Sequence, residues 1–240
     1  MTQQKIIYGK CSPNIRDSFS EHIKKAILKY KLDKDDFDLS NLHDLFKNNK
    51  LLKKGTDQST LFHKAIYSTF DDPNYFTSLF WLSYCDFCLE IVEKLKKETG
   101  FNGEWAIQRF PTIRFHFPNN VSVFEFHRDS NYSHPIGEIN CFYAFNDCFN
   151  SSALHIEKNL GFDDYFPINL RAGEYAILNT SIYKHGDILN ETKATRVSMD
   201  FRFIPNKLLN TKNISLTKGI SFTTDSYFIK EKEMENIKIN

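Results

Sequence analysis

Two histidines and one aspartate stand in this sequence at positions that suit a metal site. His127 and Asp129 form an H-x-D, and His185 follows in the segment YKHGD. Two imidazoles and one carboxylate are the ligand set that holds Fe(II) on one face and leaves the opposite face open. Arg196, eleven residues after His185, adds a guanidinium whose planar fork suits a carboxylate. We therefore predict a site for one divalent metal ion with an anionic ligand beside it.

Strands must position these residues. The run VSVFEFH alternates apolar and polar residues up to the H-x-D, which predicts a strand with His127 and Asp129 on the same side. His185 follows the predicted strand EYAILN, and Arg196 begins the last core strand, TRVSMDFRFIP. In a jelly roll such ligands can converge on one mouth of the barrel.

The fold class follows from a change of period near residue 105. Before it, helical spacing predicts a helix in NIRDSFSEHIKKAILKYKL, a shorter one in LSNLHDLFKNNKLL, and a long one from Asp71-Asp72-Pro73 to Gly100 that packs on a sheet. After it, many short strands separated by Gly, Pro, Asn and Asp predict a β-sandwich or jelly roll. We expect one α+β domain over residues 1–240, with a mainly helical part at 1–100, a β core at 101–205 and an extension at 206–240.

The remaining segments carry weaker signals. Lys47 to Thr60 is polar enough to be a loop, GISFTTD is one more candidate strand, and the charged end IKEKEMENIKIN is expected to fray. The five cysteines do not form a disulfide framework, and Cys85 and Cys88 are expected to be ordinary buried thiols inside the long helix.

Composition restricts the partners. Lys+Arg 31 against Asp+Glu 30 gives a formal charge of +1, so nothing in the overall charge favours a nucleic acid or an acidic membrane as partner. No segment reaches the ~18 uncharged apolar residues of a membrane span. A cytoplasmic protein with a small-molecule substrate is expected, and the oligomeric state is not predicted.

The order of these motifs resembles the Fe(II)/2-oxoglutarate-dependent oxygenases over residues 105–205. The resemblance implies a double-stranded β-helix, a jelly-roll and cupin-like core, with the N-terminal helices packed on its sheet. It implies that His127, Asp129 and His185 bind the iron. It also implies that Arg196, with Ser198 two residues later, holds the far carboxylate of the cosubstrate 2-oxoglutarate.

Three segments narrow the resemblance to one branch of this superfamily. HRDSNYSHPIGEIN, SALHIEKN and HGDILNETKATRVSMDFR are similar to a branch typified by a streptomycin-biosynthesis protein. The chain departs from it at His155, where the branch carries Trp. This resemblance suggests a sugar-like, amino-acid-like or other small polar metabolite as substrate.

Further polar residues are expected near the cosubstrate. Arg114 and Asn140 lie on neighbouring predicted strands, where they either contact 2-oxoglutarate or substrate or are satisfied within the sheet. Arg202 has the same strand parity as Arg196, but we place it further from the iron, in a salt bridge with Asp200 or another residue.

Substrate contacts are expected from three residues. Tyr132 and His134 lie on the loop after the H-x-D, and His116 lies on the strand RFHF.

The predicted activity is oxidative decarboxylation of 2-oxoglutarate by O2, coupled to hydroxylation or a related C–H oxidation of a small molecule. Two alternatives stay open: a protein or peptide hydroxylase on the same fold, and a non-enzymatic cupin-like module that binds a metal or metabolite. The R-x-S arrangement favours the small-molecule branches.

Overall fold

The structure, a computed structural model, is a mixture of α-helices and antiparallel strands. Its description covers residues 3–29, 37–46, 60–122, 125–209, 214, 219, 221–224 and 226–239. The predicted loop at Lys47 to Thr60 lies outside this range except for Thr60. No helix in the described ranges combines the length and hydrophobicity needed to cross a bilayer.

Among the described residues before Trp105, three α-helices follow one short strand. They are α1 (Pro13–Leu28), α2 (Leu61–Phe70) and α3 (Leu79–Thr99). Each begins after a hydroxyl residue whose side chain accepts a backbone N–H in the first turn: Ser12, Thr60 and Ser78. The prediction of α1 is confirmed as far as Leu28, whereas α2 is not predicted from the sequence.

Two of the helix predictions need correction. The long helix begins at Leu79 rather than at Asp71-Asp72-Pro73, because the Asp72 carboxylate accepts the N–H of Asn74 at 2.8 Å and closes a separate turn. It ends at Gly100 as predicted, in the left-handed conformation that glycine adopts without strain. In the described part of the predicted second helix, Leu39–Phe46 forms a 3₁₀ stretch, and residues 47–52 lie outside the described range.

In the part of the chain that the structure describes, ten strands form two antiparallel sheets. In chain order they are β1 (Ile7–Lys10), β2 (Trp105–Gln108), β3 (Thr112–His116), β4 (Ile139–Ala144), β5 (Leu154–Glu157), β6 (Tyr165–Ile168), β7 (Glu174–Leu178), β8 (His185–Gly186), β9 (Arg196–Pro205) and β10 (Phe228–Lys230). The larger sheet has the order β1-β7-β4-β9-β2-β10, with β3 also paired to β9, and the smaller has the order β6-β5-β8. The α+β prediction is confirmed at this level.

Strand β9 separates an apolar core from a polar interior. Its odd-numbered residues Val197, Met199, Phe201 and Phe203 lie in the core between the sheet and the helices. Its even-numbered residues alternate to the opposite face and are buried although they are polar or charged: Arg196, Ser198, Asp200 and Arg202.

Aromatic contacts join the helices to the apolar face of the larger sheet. Phe87 of α3 packs edge-on against Tyr143 of β4 with ring centroids 5.5 Å apart, and Tyr84 packs against Phe201 at 5.2 Å. The expected packing of the N-terminal helices on the sheet is confirmed. Cys85 and Cys88 are free and buried in this interface, as predicted.

The C-terminal residues are ordered in two elements. The end that we expected to fray forms β10, paired with β2, and α4 (Glu231–Ile239). The buried Glu231 carboxylate explains this, because it accepts a hydrogen bond from Lys96 at 2.5 Å and another from the backbone of Trp105 at 3.2 Å. Within GISFTTD, Ser221 makes an isolated bridge to Ile214, and the described residues after it form no strand.

Candidate metal centre and ligand cavity

A backbone pairing brings the two predicted histidine ligands together. His127 N–H donates to the carbonyl of His185 at 3.0 Å, and His185 N–H donates back at 2.9 Å. This bridge is isolated, because Glu125 and Phe126 belong to no strand and β8 is only two residues long. The strand predicted for VSVFEFH is therefore wrong in its described part, while Val123 and Phe124 lie outside the described residues.

Gly186 permits the close approach of the two segments. An added Cβ at this position would lie 3.2 Å from the Cα of Phe126, closer than ordinary carbon–carbon contacts. Asp129 then begins a 3₁₀ turn, Asp129–Tyr132, instead of continuing a strand. The alternation of apolar and polar residues correctly predicted that the side chains of His127 and Asp129 lie together. The backbone there forms an isolated bridge and a 3₁₀ turn instead of a strand.

The three predicted ligands converge. The Asp129 Oδ1 atom lies 3.7 Å from His185 Nε2 and 4.0 Å from His127 Nε2. Potential ligand atoms of the three residues all lie within 4.8 Å of one another. The Nδ1 atom of His127 lies 2.8 Å from the carbonyl of Glu125, and a hydrogen bond there leaves Nε2 as the electron-pair donor.

Protonation favours metal binding by two of these residues. Burial lowers the pKa of His185 to about 4, so its imidazole is neutral at pH 7. Burial alone raises the pKa of Asp129, but the charge of Arg202, its hydrogen bonds and smaller effects of His185 and His134 outweigh burial and hold that pKa well below its ordinary value. A neutral imidazole and an ionised carboxylate are the forms that bind metals.

Arg202 and Thr180 hold the carboxylate of Asp129. Arg202 donates from Nε to Oδ2 and from Nη2 to Oδ1, both at 3.2 Å, and Thr180 Oγ1 donates to Oδ2 at 2.6 Å. Arg202 also forms the expected salt bridge with Asp200, at 3.4 Å, but its predicted distance from the iron end is wrong. In the sequence, the indication for Arg202 was its even-numbered position on β9, which places it on the same face of the strand as Arg196.

The donor set fits a divalent cation of the first transition series. Two imidazole nitrogens and one carboxylate oxygen face a common point, which is the facial arrangement typical of non-haem Fe(II). Oδ2 accepts from both Thr180 and Arg202 Nε, whereas Oδ1 accepts from Arg202 Nη2. Oδ1 is also the oxygen that lies 3.7 and 4.0 Å from the histidine Nε2 atoms, so the carboxylate presents Oδ1 to an ion. The carboxylate would therefore bind through one oxygen.

A cavity opens beside the two histidines. It encloses about 380 Å³, counting the part open to solvent. Its lining consists of Arg114, His127, Asn140, Phe142, Leu154, His185, Gly186, Asp187, Arg196 and Asp200. Three of the four residues predicted to bind the cosubstrate line it: Arg114, Asn140 and Arg196.

Arg196 is buried in an ion pair. Its Nη1 and Nη2 donate to the two oxygens of Asp187 at 2.7 and 3.0 Å, and Nη1 also donates to the carbonyl of Ser152 at 2.9 Å. Burial raises the pKa of Asp187, but the charge and hydrogen bonds of Arg196, with smaller contributions from His116 and Ser122, together outweigh it and hold that pKa well below the usual range. The sequence analysis did not identify Asp187, although it lies two residues after His185.

Three polar atoms near this pair are buried without a hydrogen-bond partner in the described part of the chain: Arg196 Nε, Ser198 Oγ and Asn140 Oδ1. Arg114 donates from Nε to Asp200 at 3.0 Å. Unpartnered buried donors are costly unless a ligand or water satisfies them. Two such donors, on Arg196 and Ser198, fit a bound carboxylate.

The residues predicted to bind substrate lie outside the cavity lining. Tyr132 packs edge-on against His127, with ring centroids 5.1 Å apart. His134 binds the buried Glu138 through Nδ1 at 2.9 Å and packs on Phe222. Tyr132 thus contacts the ring of one metal ligand, and the backbone N–H of His134 donates to the carbonyl of another, Asp129, at 3.4 Å.

His116 has no exposed surface. Its Nε2 lies 2.9 Å from the carbonyl of Asn120, and its Nδ1 lies 3.4 Å from that of Ser152. A substrate role is not supported by this position, because backbone carbonyls already surround the ring.

Comparison with solved structures defines the class of fold. A non-haem monooxygenase, ThoJ, matches with a TM-score of 0.50 and 10% identity over 89% of this chain and 80% of its own. AviO1 from Streptomyces viridochromogenes Tue57 matches at 0.51 and 10% over 87% and 93%. SnoK, a non-haem alpha-ketoglutarate-dependent carbocyclase from nogalamycin biosynthesis, matches at 0.50 and 9% over 85% and 81%. The chain thus has the fold of non-haem oxygenases.

One relative is similar in sequence as well. The streptomycin biosynthesis protein StrG of Streptomyces griseus is 27% identical over 191 residues, which cover 78% of this chain and 85% of StrG. No protein-family model matches the chain. The resemblance to a streptomycin-biosynthesis protein, inferred from the motifs, is confirmed, and the resemblance to the oxygenases is confirmed at the level of the fold.

Proposed function

We propose that this protein is an Fe(II)- and 2-oxoglutarate-dependent oxygenase built on a double-stranded β-helix. The observation that carries the proposal is the convergence of His127, Asp129 and His185 at a cavity whose wall contains buried guanidinium groups. A metal site alone would suit many proteins. Its combination with carboxylate-binding side chains is what a 2-oxo dicarboxylic acid requires.

His127, Asp129 and His185 would hold the iron. When bound, Fe(II) supplies an open face at which a 2-oxo acid and O2 react. The chain keeps the two imidazoles adjacent through their backbone bridge, and Arg202 keeps the carboxylate ionised and oriented. These contacts preorganise the ligands before metal arrives.

The cavity side chains would orient the cosubstrate. Arg196 and Ser198 offer the unpartnered buried donors described above, and they would receive the far carboxylate of 2-oxoglutarate. Arg114 and Asn140 face the same cavity from β3 and β4 and would contact the cosubstrate or the substrate. Phe142 and Leu154 form apolar parts of the cavity wall and would reduce the amount of water beside a bound ligand.

The reaction consumes 2-oxoglutarate, O2 and a substrate C–H bond and yields succinate, CO2 and a hydroxylated product. One oxygen atom enters succinate, and the other enters the product. A small polar metabolite is the proposed substrate, which is supported by the similarity to a streptomycin biosynthesis protein and by the limited cavity volume. Tyr132, beside His127, is the best placed of the predicted substrate contacts.

Succinate release in the presence of Fe(II), 2-oxoglutarate and O2 tests the activity. We expect slow release without substrate and faster release with the correct metabolite, and His185→Ala should abolish both. His22→Ala, which removes a histidine in α1, serves as the control and should retain release. If the parent protein binds Fe(II) yet releases no succinate in a broad metabolite screen, a binding module becomes the better interpretation.

A further inference from the structure

The guanidinium proposed to bind the cosubstrate is already engaged with a carboxylate of the chain. Arg196 and Asp187 make two parallel hydrogen bonds, and each side chain is only 1% exposed. This is the geometry with which arginine holds a bound carboxylate. The Nη1 and Nη2 donors of Arg196 are therefore already occupied by the Asp187 carboxylate.

Neighbouring groups fix Asp187 in this position. Ser122 Oγ donates to Asp187 Oδ2, and Arg196 Nη2 lies within 3.3 Å of the same hydroxyl. Asp187 also directly follows β8, whose residues pair with β5. The carboxylate is thus held by the same short strand that carries His185.

A second carboxylate can approach Arg196 only near Asp187. The free donors are Arg196 Nε and Ser198 Oγ, and both Asp187 and Arg196 line the cavity. Two carboxylates that share one guanidinium repel each other, and the repulsion is strong where water is largely excluded. The Asp187 carboxylate should therefore weaken the binding of the far carboxylate of a dicarboxylic ligand.

We propose that Asp187 is an internal counter-ion that competes with the far carboxylate of the cosubstrate for Arg196 and so sets how strongly the protein prefers a dicarboxylic 2-oxo acid. This inference rests on the proposed function. It assigns Asp187 a role in cosubstrate selection, separate from metal binding.

The proposal can be tested by comparing the binding of two similar 2-oxo acids, 2-oxoglutarate and 2-oxovalerate. Both have five carbons and the same chelating end, but 2-oxovalerate has a methyl group where 2-oxoglutarate has its far carboxylate. An unopposed buried guanidinium should favour the dicarboxylate by about a hundredfold or more. With Asp187 in competition, we expect the parent protein to favour it by about tenfold or less.

The experiment is an anaerobic titration of each acid into the Fe(II)-loaded protein, followed by the metal-to-ligand absorption band. In Asp187→Asn, the ratio of the two affinities should rise at least about tenfold above the parent ratio, mainly through tighter 2-oxoglutarate binding. Glu231→Gln is the control, because it removes another buried carboxylate that pairs with a cation, Lys96, and that does not line the cavity. It should leave the ratio nearly unchanged.

The outcomes separate the two proposals. A parent protein that binds neither acid would overturn the proposed function and this inference together. A parent that binds both but favours 2-oxoglutarate more than a hundredfold would overturn the inference alone, even if Asp187→Asn did not fold. An Asp187→Asn ratio equal to the parent ratio, or matched by Glu231→Gln, would also overturn it.

Discussion

Arg202 neutralises a metal ligand before any metal is bound. Its guanidinium contacts both oxygens of Asp129, and both side chains are buried. An isolated buried carboxylate would be costly, so this contact allows the site to form in the metal-free protein. A bound cation and Arg202 are then alternative sources of positive charge for the same carboxylate.

Replacing Arg202 should make folding depend on metal. In Arg202→Met, the metal-free protein should lose about 3–5 kcal/mol of unfolding free energy, because Asp129 stays buried without its cation. Saturating Mn(II) should restore part of that loss, since the ion supplies the missing charge. Thermal denaturation with and without Mn(II) measures the difference.

Arg114→Met is the matched control for this prediction. Arg114 also pairs with a buried aspartate, Asp200, but it does not contact the metal ligands in the described hydrogen bonds and ion pairs. Mn(II) should stabilise this variant only as much as it stabilises the parent. An equal gain in both variants would contradict the assigned role of Arg202.

At the scale of elements, β8 carries more of the site than its length suggests. Its two residues supply His185 and the backbone pairing to His127, and they place Gly186 against Phe126. The geometry of the metal centre therefore depends on one short strand held by β5. Small backbone shifts there should be felt first at the metal.

Gly186→Ala tests this dependence. The added methyl must displace Phe126, which should cost about 1–3 kcal/mol of stability and separate the two histidines. Mn(II) affinity, measured by calorimetry, should fall by about tenfold or more, because small misplacements of ligands weaken a site. An unchanged affinity would show that the close contact does not position the ligands.

Gly161→Ala is a suitable comparison. Gly161 has a φ of +84° and open space around its Cα, so alanine there strains the backbone without a clash. This variant should lose stability of about 1 kcal/mol and retain the parent's affinity for Mn(II).

His22 makes the interface between α1 and α2 sensitive to acid. Its Nε2 lies 3.0 Å from Thr69 Oγ1, its ring stacks on Phe80, and burial, with a smaller effect of Lys29, lowers its pKa from 6.5 to about 4. The unfolded chain therefore binds the proton more readily between these pH values. The stability that neutral His22 contributes is present above pH 6.5 and is lost as the pH falls towards 4.

The prediction is a smaller acid loss in His22→Asn. Between pH 6.5 and 4, the parent should lose up to about 3 kcal/mol through this residue, in addition to losses from other buried histidines. Urea denaturation of the metal-free proteins at both pH values gives the comparison. Parallel losses in parent and variant would exclude His22 as the cause.

Local sequence patterns predicted the helices and strands that depend mainly on residues close together in the sequence. Period and caps located α1, the end of α3 at Gly100 and most strands after residue 105. The same patterns failed for VSVFEFH, where the alternation is present but the partner strand has only two residues. They could not reveal the Arg202–Asp129 or Arg196–Asp187 pairs, because such contacts depend on how β9 faces the loops and not on neighbouring residues.

At the scale of the whole molecule, the described part of the polar interior contains three arginine–aspartate ion pairs. Each of its three arginines has an aspartate partner within 3.2 Å: Arg114 with Asp200, Arg196 with Asp187, and Arg202 with Asp129. A divalent cation added to these pairs leaves an excess of two positive charges, which a dianionic acid would cancel. Metal and cosubstrate should therefore bind with positive coupling.

Calorimetry can measure this coupling from both directions. Mn(II) should raise the affinity for 2-oxoglutarate by about 5- to 150-fold or more, and 2-oxoglutarate should raise the Mn(II) affinity by the same factor, because linkage is reciprocal. Chelation contributes as well, so succinate, which lacks the 2-oxo group, is the control for charge alone. Independent binding of the two ligands would contradict the charge argument.

The alternation of β9 also bears on how the chain reaches its native pairing. β9 pairs with β2, β3 and β4, and a slip of one residue against them would exchange its two faces. Arg196, Asp200 and Arg202 would then enter the apolar core without partners, at a cost far above that of a lost hydrogen bond. The charged residues of the ligand site thus also disfavour a misaligned pairing of β9 during folding. Variants that neutralise several of these residues should populate misaligned sheets.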